Sequence, residues 1–187
     1  KYKLTYKSIS NPTKEGAELL SQGKIIGWFQ GKAEVGQRAL GNRSILADPR
    51  DRKMKDKINS KIKNREIFRP FAPAILKEFQ RDYFDLDISV PYMTEIHKFR
   101  EDKIDSVPAV VHVDGTGRLQ TVSHENNPLF YNLIEEFYKI IGFDLTIRLP
   151  FHDPKNKEKY LGTAEMWQSA ENQLREIAKE KKVKVKS

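Results

Sequence analysis

The segment from Lys24 to Ala47, KIIGWFQGKAEVGQRALGNRSILA, contains two short apolar runs separated by a polar loop with three glycines. Lys24 to Phe29 is predicted to be a buried strand, because it is a short apolar run bounded by glycines. Ser44 to Ala47 is a second strand candidate, and Asp48-Pro49 ends it. Gln30 to Asn42 is then a loop beside the end of a strand.

The rest of the chain alternates helix and strand patterns irregularly. Helices are predicted from Asn11-Pro12 to Gly23, Asp51 to Lys63, Lys77 to Phe84, Asn127-Pro128 to Ile141 and Thr163 to about Lys181. Strands are predicted at Phe71 to Leu76, Tyr92 to Phe99, Ala109 to Val113, Arg118 to Val122 and Asp144 to Leu149. The turn Asp114 to Gly117 predicts a hairpin between the third and fourth of these strands. Together the elements predict a single α/β (α+β) domain with a mixed sheet.

The composition restricts the class of protein. The 187 residues fit one domain, and 34 Lys and Arg against 26 Asp and Glu give a net charge of +8. This excess favours anionic partners such as nucleotides, phosphates or nucleic acid. There is no cysteine, no signal peptide at Lys1 to Asn11 and no apolar run of membrane-spanning length. The predicted compartment is therefore the cytoplasm, and no membrane partner is expected. A start at Lys1 without Met suggests a fragment of a longer protein.

The loop Gln30 to Ser44 is the first candidate site. Its glycines would let backbone amides approach a phosphate, and the guanidinium groups of Arg38 and Arg43 can bind phosphate oxygens in pairs. The loop lacks the P-loop pattern. Composition alone favours an ordinary polar surface loop.

The segment Lys63 to Pro70, KNREIFRP, is the second candidate. In an extended segment Lys63, Arg65 and Arg69 would share one face, where they could grip a triphosphate. The alternative is a solvated cationic helix end, which is favourable to the helix dipole.

The third candidate runs from His112 to His124. In the predicted hairpin His112 would share a face with Asp114, and Arg118 with Gln120. A metal site is less well supported than a hydrogen-bonded strand histidine, because the other histidines show no ligand spacing relative to His112. A hydrolase triad or zinc protease motif is also missing, so cation-rich phosphate chemistry remains.

Several ordered motifs resemble one known family. They are GWFQGKAEVGQRALGNRSILADPRD, KIKNREIFRPFAPAIL, VPYMT and VPAVVHVDGTGRLQTVSHENNPLFYNLIEEF. Over about residues 1–143 the chain is similar to the C-terminal domain of the NodU/CmcH-type O-carbamoyltransferases. The resemblance implies a YrdC-like fold, which is a twisted mixed sheet flanked by helices with a concave basic cavity.

The resemblance also implies an activity. Such a domain binds carbamoyl phosphate and ATP with Mg²⁺ and forms carbamoyl adenylate. An iron-containing Kae1-like N-terminal domain, expected in the full-length protein, then transfers the carbamoyl group to a hydroxyl. The implied catalytic residues are Lys63, Arg69 and Arg118, and the implied nucleotide-binding residues are Arg38, Asn42, Arg43, Lys63 and Arg65. No residue of the chain is implied as a metal ligand.

The resemblance ends near Phe143. Pro150 stands where the family has a serine of the nucleotide site, and His152 stands where it has an asparagine. Residues 150–187 instead resemble a segment of a threonyl-tRNA synthetase catalytic domain, with a terminal amphipathic helix. We therefore predict a domain over residues 1–149, a divergent segment over residues 150–187, and a fusion near Gly142 to Thr146.

The departure keeps two alternatives open. One is an inactive module that binds a nucleotide or RNA through Lys and Arg, although nucleic acid is the less favoured partner. The other is a chimeric or designed scaffold without activity.

Overall fold

The main feature of the fold is a five-stranded mixed sheet. The structure, a computed structural model, describes residues 7–36, 38–63, 70–142 and 145–150. The strands of the main sheet are β1 (Ile26–Phe29), β2 (Arg43–Ala47), β3 (Ala72–Leu76), β6 (Gln120–Val122) and β7 (Leu145–Pro150), and β4 (His97–Lys98) pairs with β5 (Thr116–Gly117) in a separate ribbon. The sheet order is β1-β2-β7-β3-β6, and only β3 and β6 are parallel. The predicted α+β class with a mixed sheet is confirmed.

Two helices cover one face of this sheet. They are α1 (Pro12–Ser21) and α4 (Pro128–Ile141), and each begins with an asparagine cap followed by proline. The Asn11 side chain accepts a hydrogen bond from Lys14 N, and the Asn127 side chain accepts one from Phe130 N. Their apolar residues pack on alternate positions of β2, β3 and β6: Leu46, Ala74, Leu76 and Val122.

The opposite face is covered by α2 (Arg52–Ile58), a π-helical turn (Asn59–Lys63) and the connections after β3. These connections include a 3₁₀ turn (Lys77–Phe79), α3 (Gln80–Tyr83) and a second 3₁₀ turn (Glu101–Ser106). Ile45, Ala47 and Ile75 point to this side, opposite to Leu46 and Leu76. Because β2 carries buried side chains on both faces, it lies inside the molecule.

The predicted hairpin is wrong. The turn itself is present, since His112 N donates to Thr116 O at 2.8 Å. Ala109 to Val113 is not a strand, however, and β6 pairs in parallel with β3. The other edge of β6 is occupied by Val90, whose carbonyl accepts from Thr121 N at 3.1 Å. The long strand predicted over Tyr92 to Phe99 is reduced to β4.

Of two other predicted helices, one is confirmed and one is untested. The helix predicted over Asp51 to Lys63 is present, with a π-helical last turn. The helix predicted over Thr163 to Lys181 lies outside the described residues. Within the described ranges, every helix is too short or too polar to cross a lipid bilayer.

Gly41 is the glycine with the strictest steric requirement. Its φ is +112°, and a methyl group added there would overlap the ring of Phe130, which is fully buried. We expect Gly41→Ala to lower the free energy of unfolding by about 3 kcal/mol, since it adds overpacking to a strained backbone. Urea denaturation measures the change.

Gly142→Ala is the matched control for that substitution. Gly142 also has a positive φ, +70°, but an added methyl group would meet nothing within 4 Å. Its replacement should cost about 1–2 kcal/mol, the backbone contribution alone. Equal losses in the two variants would show that the contact with Phe130 does not constrain Gly41.

Candidate functional site

A buried ion pair closes the loop between β1 and β2. Arg43 Nε lies 2.8 Å from Glu34 Oε2, and the two side chains are 2% and 8% exposed. Glu34 Oε1 also accepts from Leu40 N at 2.5 Å and from Asn42 N at 2.8 Å. Arg43 Nη2 donates to the carbonyl oxygens of Glu34 and Gly36. Arg43, a predicted nucleotide ligand, therefore holds the loop together from inside.

Side-chain amides connect this loop to the start of α4. Gln30 Nε2 donates to Asn42 Oδ1 at 3.2 Å and to Asn127 Oδ1 at 2.6 Å. Asn127 Nδ2 donates to Asn42 Oδ1 at 3.0 Å, and Trp28 Nε1 donates to Gln30 Oε1 at 2.6 Å. Asn42, another predicted nucleotide ligand, lies at the centre of this network. Its own Nδ2 donates to Lys32 O at 2.7 Å.

A cleft of about 220 Å³ lies beside this network. Gln120 lines the cleft and is only 4% exposed. Its Nε2 donates to Leu40 O at 3.0 Å, whereas its Oε1 has no hydrogen-bond partner among the described residues. The cleft is bordered by Pro91 and by Tyr92, which is 66% exposed. The residues that line it are Glu34, Leu40, Asn42, Pro91, Tyr92, Gln120, Thr121, Val122, Ser123, Asn126 and Asn127.

This cleft was not predicted from the sequence, where Gln120 was considered only as a neighbour of Arg118 and Tyr92 only as part of a motif. Pro91 marks a turn in the sequence, but the φ of 55° at the buried Met93 is visible only in the structure. A positive φ at a residue other than glycine indicates a locally strained turn, and such turns are frequent at ligand sites.

A second site centres on His112. Its Nδ1 lies 3.0 Å from Thr116 Oγ1, and Asp114 Oδ1 accepts from Thr116 N at 3.0 Å. Burial lowers the pKa of His112; the charge of Asp114 opposes this shift, and the positive charges of Arg118 and Lys55 add to it. Arg118, between β5 and β6, and Lys55, on α2, therefore both act electrostatically on His112. This surface, defined by Lys55, His112 and Arg118, is called the basic surface below.

The predicted site residues are distributed over several parts of the structure. Asn42, at the end of the loop, is followed directly by Arg43, the first residue of β2, and Arg118 is exposed at the basic surface. Arg38 is exposed on the β1–β2 loop. Lys63 ends the π-helical turn that follows α2, whereas Arg65 and Arg69 lie outside the described residues. The described ranges contain no group of three or more His, Asp or Glu residues that could hold a metal ion.

Comparison with known proteins identifies the family. The model of the family described as "Carbamoyltransferase C-terminus" matches residues 17–154. The chain belongs to this carbamoyltransferase C-terminal family. Its relatives include nodulation protein NolO of Bradyrhizobium diazoefficiens, which is 44% identical over 140 residues, or 73% of this chain and 26% of that protein.

Other relatives come from different organisms. An uncharacterized protein of Methanocaldococcus jannaschii is 42% identical over 153 residues, or 81% of this chain and 25% of that protein. Nodulation protein U of Rhizobium tropici is 42% identical over 131 residues, or 70% of this chain and 23% of that protein. The chain therefore spans about a quarter of the length of these relatives.

Removal of Glu34 should destabilise the protein strongly. Glu34→Ala would leave the guanidinium of Arg43 buried without its carboxylate and would free two backbone amides. We expect the free energy of unfolding to fall by about 3–5 kcal/mol in urea denaturation. As a control, Glu135→Ala removes the pair with Lys139, which solvent screens, and should have a much smaller effect on the free energy of unfolding. Similar losses in both variants would contradict the importance of the buried pair.

Replacement of Arg118 should raise the pKa of His112. Arg118→Ala removes one of the positive charges that disfavour the imidazolium form, while the burial of the ring remains. Titration of the His112 ring protons by NMR measures the change. Arg81→Ala removes an exposed arginine that is paired with Asp87 and is the control, for which no change is expected. An unchanged pKa in Arg118→Ala would show that Arg118 does not act on His112.

Proposed function

We propose that this chain binds ATP and carbamoyl phosphate and forms carbamoyl adenylate. A Kae1-like domain of the full-length protein would then transfer the carbamoyl group to a hydroxyl. The observation that carries the proposal is the match of residues 17–154 to the carbamoyltransferase C-terminal family. The two cations of the basic surface, Lys55 and Arg118, support it. The ligands of this reaction are phosphorylated, and clustered cations are the groups that bind them.

The described residues fit the two ligands in different ways. The basic surface offers the cations Lys55 and Arg118; burial is the main reason that the pKa of His112 is lowered there, Asp114 opposes the shift, and the two cations add to it. The cleft offers neutral side-chain amides, those of Asn42, Asn126 and Asn127. A nucleotide contains both kinds of group, since its phosphates are anionic and its base is neutral. Mg²⁺ bound by the phosphate oxygens would offset the charge that develops on pyrophosphate.

The proposed roles of the cations follow from charge. Lys63 and Arg65 would hold the triphosphate. Arg38, Arg69 and Arg118 would orient carbamoyl phosphate and stabilise charge on its phosphate oxygens. Arg43 would act indirectly, by holding the loop that carries Arg38.

The overall reaction balances without a protein nucleophile. Carbamoyl phosphate, water and ATP would give phosphate, carbamoyl adenylate and pyrophosphate. Water attacks the phosphorus of carbamoyl phosphate, so the bridging oxygen stays on carbamate. That oxygen then attacks the α-phosphorus of ATP, and the bond to pyrophosphate breaks. The residues of this chain need only orient the groups and stabilise negative charge.

A non-catalytic binding module is the second candidate. It is favoured by Pro150, which ends β7 in register with Ser44 and has no backbone N–H to donate to a phosphate. His152 and the rest of the segment for which a resemblance to a threonyl-tRNA synthetase was predicted lie outside the described residues. The fusion near Gly142 to Thr146, the division into residues 1–149 and 150–187, and a scaffold without activity remain proposals.

Pyrophosphate exchange tests the proposed function. The chain, with ATP, Mg²⁺ and carbamoyl phosphate, should incorporate labelled pyrophosphate into ATP, and exchange should depend on carbamoyl phosphate. We expect Lys63→Ala and Arg118→Ala each to lower the rate by about 10²-fold or more, as removal of one group that stabilises transition-state charge does. Arg81→Ala should exchange like the unmodified chain.

Binding measurements separate the two candidates. Calorimetry with ATP, with carbamoyl phosphate and with a tRNA shows which ligand the chain takes. ATP binding without any exchange would favour the non-catalytic module. Preferential binding of tRNA would contradict the carbamoyl-adenylate proposal.

A further inference from the structure

We propose that His112 is a further catalytic residue of the proposed reaction, with its Nε2 accepting a proton from the water molecule that attacks the phosphorus of carbamoyl phosphate. This inference rests on the proposed function for the reaction and for the substrate. The choice of His112 comes from the hydrogen bonds, the exposure and the charges around its ring.

The first argument is the tautomer of the ring. The hydrogen bond from the Thr116 hydroxyl lowers the pKa of Asp114, so this carboxylate is ionised near neutral pH and can only accept. Thr116 Oγ1 therefore donates its one proton to Asp114 Oδ1, at 2.7 Å. The same Thr116 oxygen lies 3.0 Å from His112 Nδ1, so Nδ1 must be the donor there. The hydrogen-bond network thus assigns the proton of the neutral ring to Nδ1 and leaves a lone pair on Nε2.

The second argument is that this lone pair can be reached. His112 is partly buried, and its Nε2 has no hydrogen-bond partner among the described residues. In those ranges, the side-chain atoms that are both closed off from solvent and unpartnered belong to Gln80 and Gln120, so Nε2 of His112 is in contact with solvent. A general base must lie within hydrogen-bond distance of the proton that it takes. A water molecule can meet this requirement at Nε2.

The third argument is the protonation state of the ring. Burial is the main cause of the lowered pKa of His112; the charge of Asp114 opposes the shift, and the charges of Arg118 and Lys55 add to it. Since the ordinary pKa of a histidine is about 6.5, the ring is neutral at neutral pH. Only the neutral ring accepts a proton. His112 is therefore in the form that a base requires.

The fourth argument is the place of the ring in the proposed site. Electrostatic interactions weaken with distance, so the effects of Arg118 and Lys55 on His112 mean that the three side chains lie near one another. Arg118 is one of the groups proposed to orient carbamoyl phosphate. The turn that carries the ring is also fixed, because His112 N donates to Thr116 O at 2.8 Å and Gly115 N donates to His112 O at 3.0 Å. A phosphorus atom held by Arg118 would have a base beside it.

The proton transfer balances the first step of the reaction. The water oxygen forms a bond to phosphorus while the bond from phosphorus to the bridging oxygen breaks, and the electron pair of that bond leaves on carbamate. One proton of the water goes to Nε2, which gives hydrogen phosphate and a protonated His112, and the ring then returns the proton to solvent. Without a base, the phosphate would keep both protons and the step would be slower. General base catalysis typically contributes a factor of about 10²–10⁴.

Comparison of the two steps of the reaction tests the inference. Phosphate release from carbamoyl phosphate, with ATP and Mg²⁺ present, measures the step in which His112 acts. Pyrophosphate exchange started with added ammonium carbamate bypasses that step, since carbamate has no proton that must leave when it attacks ATP. His112→Asn keeps an N–H donor for Thr116 and lacks the acceptor at Nε2. It should release phosphate about 10²-fold or more slowly than the unmodified chain, while its exchange from carbamate stays unchanged.

His124→Asn is the matched control. It replaces an exposed histidine that lies outside the basic surface, with its ring against Tyr131 at a centroid distance of 5.4 Å. This variant should match the unmodified chain in both phosphate release and exchange. A loss in phosphate release equal to that of His112→Asn would contradict a specific role of His112.

Thr116 is a positioning residue for the base, and its variants leave the histidine in place. Thr116→Val removes the hydroxyl and should slow phosphate release about tenfold, the effect of one neutral hydrogen bond. Thr116→Ser retains the hydroxyl and should restore the rate. Equal rates in the valine and serine variants would show that the hydroxyl does not orient the ring for catalysis.

The pH dependence gives the sign of the role. A base acts only when it is unprotonated, so kcat/KM for phosphate release should fall as the pH drops through the pKa of His112, which NMR titration of the free protein measures. His112→Asn should lack this fall. Protonation of the substrate affects both proteins alike, so the ratio of their rates isolates the histidine. A ratio that rises as the pH drops would show that the ring acts as a cation, which would overturn the inference.

The outcomes for the base and for the proposed function differ. Phosphate release by His112→Asn at the unmodified rate, or equal losses of phosphate release and exchange in the folded variant, would overturn the base and leave the function. Phosphate release that depends on His112, without any exchange from carbamate, would support the base and contradict the formation of carbamoyl adenylate. Absence of both activities in the unmodified chain would overturn both.

Discussion

The buried ion pair of Glu34 and Arg43 is the interaction on which the candidate site depends. Two charges removed from water are costly, and the cost is offset only when the remaining donors and acceptors are satisfied. Here the carboxylate also receives two backbone amides, and the guanidinium also reaches loop carbonyls. These bonds fix the backbone at Leu40 and Asn42, and both residues line the cleft. Leu40 O orients Gln120, and Asn42 joins Gln30 to Asn127. The loop therefore acts as a rigid wall of the cleft.

The neutral cleft and the basic surface complement each other chemically. The cleft adjoins β6 and the start of α4, on residues whose polar groups are amides and hydroxyls. The basic surface combines Arg118, which immediately precedes the β6 region, with Lys55 on α2. Because Arg118 and Gln120 are two residues apart in the chain, one short segment contributes to both places. This continuity is the structural reason to treat both places as parts of one proposed site.

The sequence predicted local features better than long-range ones. Helices α1 and α4 were predicted because Asn-Pro starts and glycine ends are local signals, and Gly142 indeed has the left-handed conformation at the end of α4. The hairpin was predicted wrongly because Asp-Gly marks a turn without specifying which strands will pair. The choice of β3 as the neighbour of β6 depends on contacts across more than forty residues. The same limit applied to the site. Arg118 could be proposed from its charge, whereas the orientation of the Gln120 amide is set by a carbonyl eighty positions away in the sequence.

Pro150, where a departure from the family pattern was predicted, has a defined place in the sheet. Strand β7 lies between β2 and β3, and its last residue pairs with Ser44. A proline is tolerated at a strand end but offers no amide hydrogen there. The adjacent polar groups of β2 already have partners within the loop, since Arg43 binds Glu34 and Ser44 Oγ accepts from Gly41 N at 3.2 Å. This end of the sheet therefore supplies few free donors from the described residues. At this end of the sheet, the proposed binding of phosphate would then rely on side-chain cations more than on backbone amides of β2 and β7.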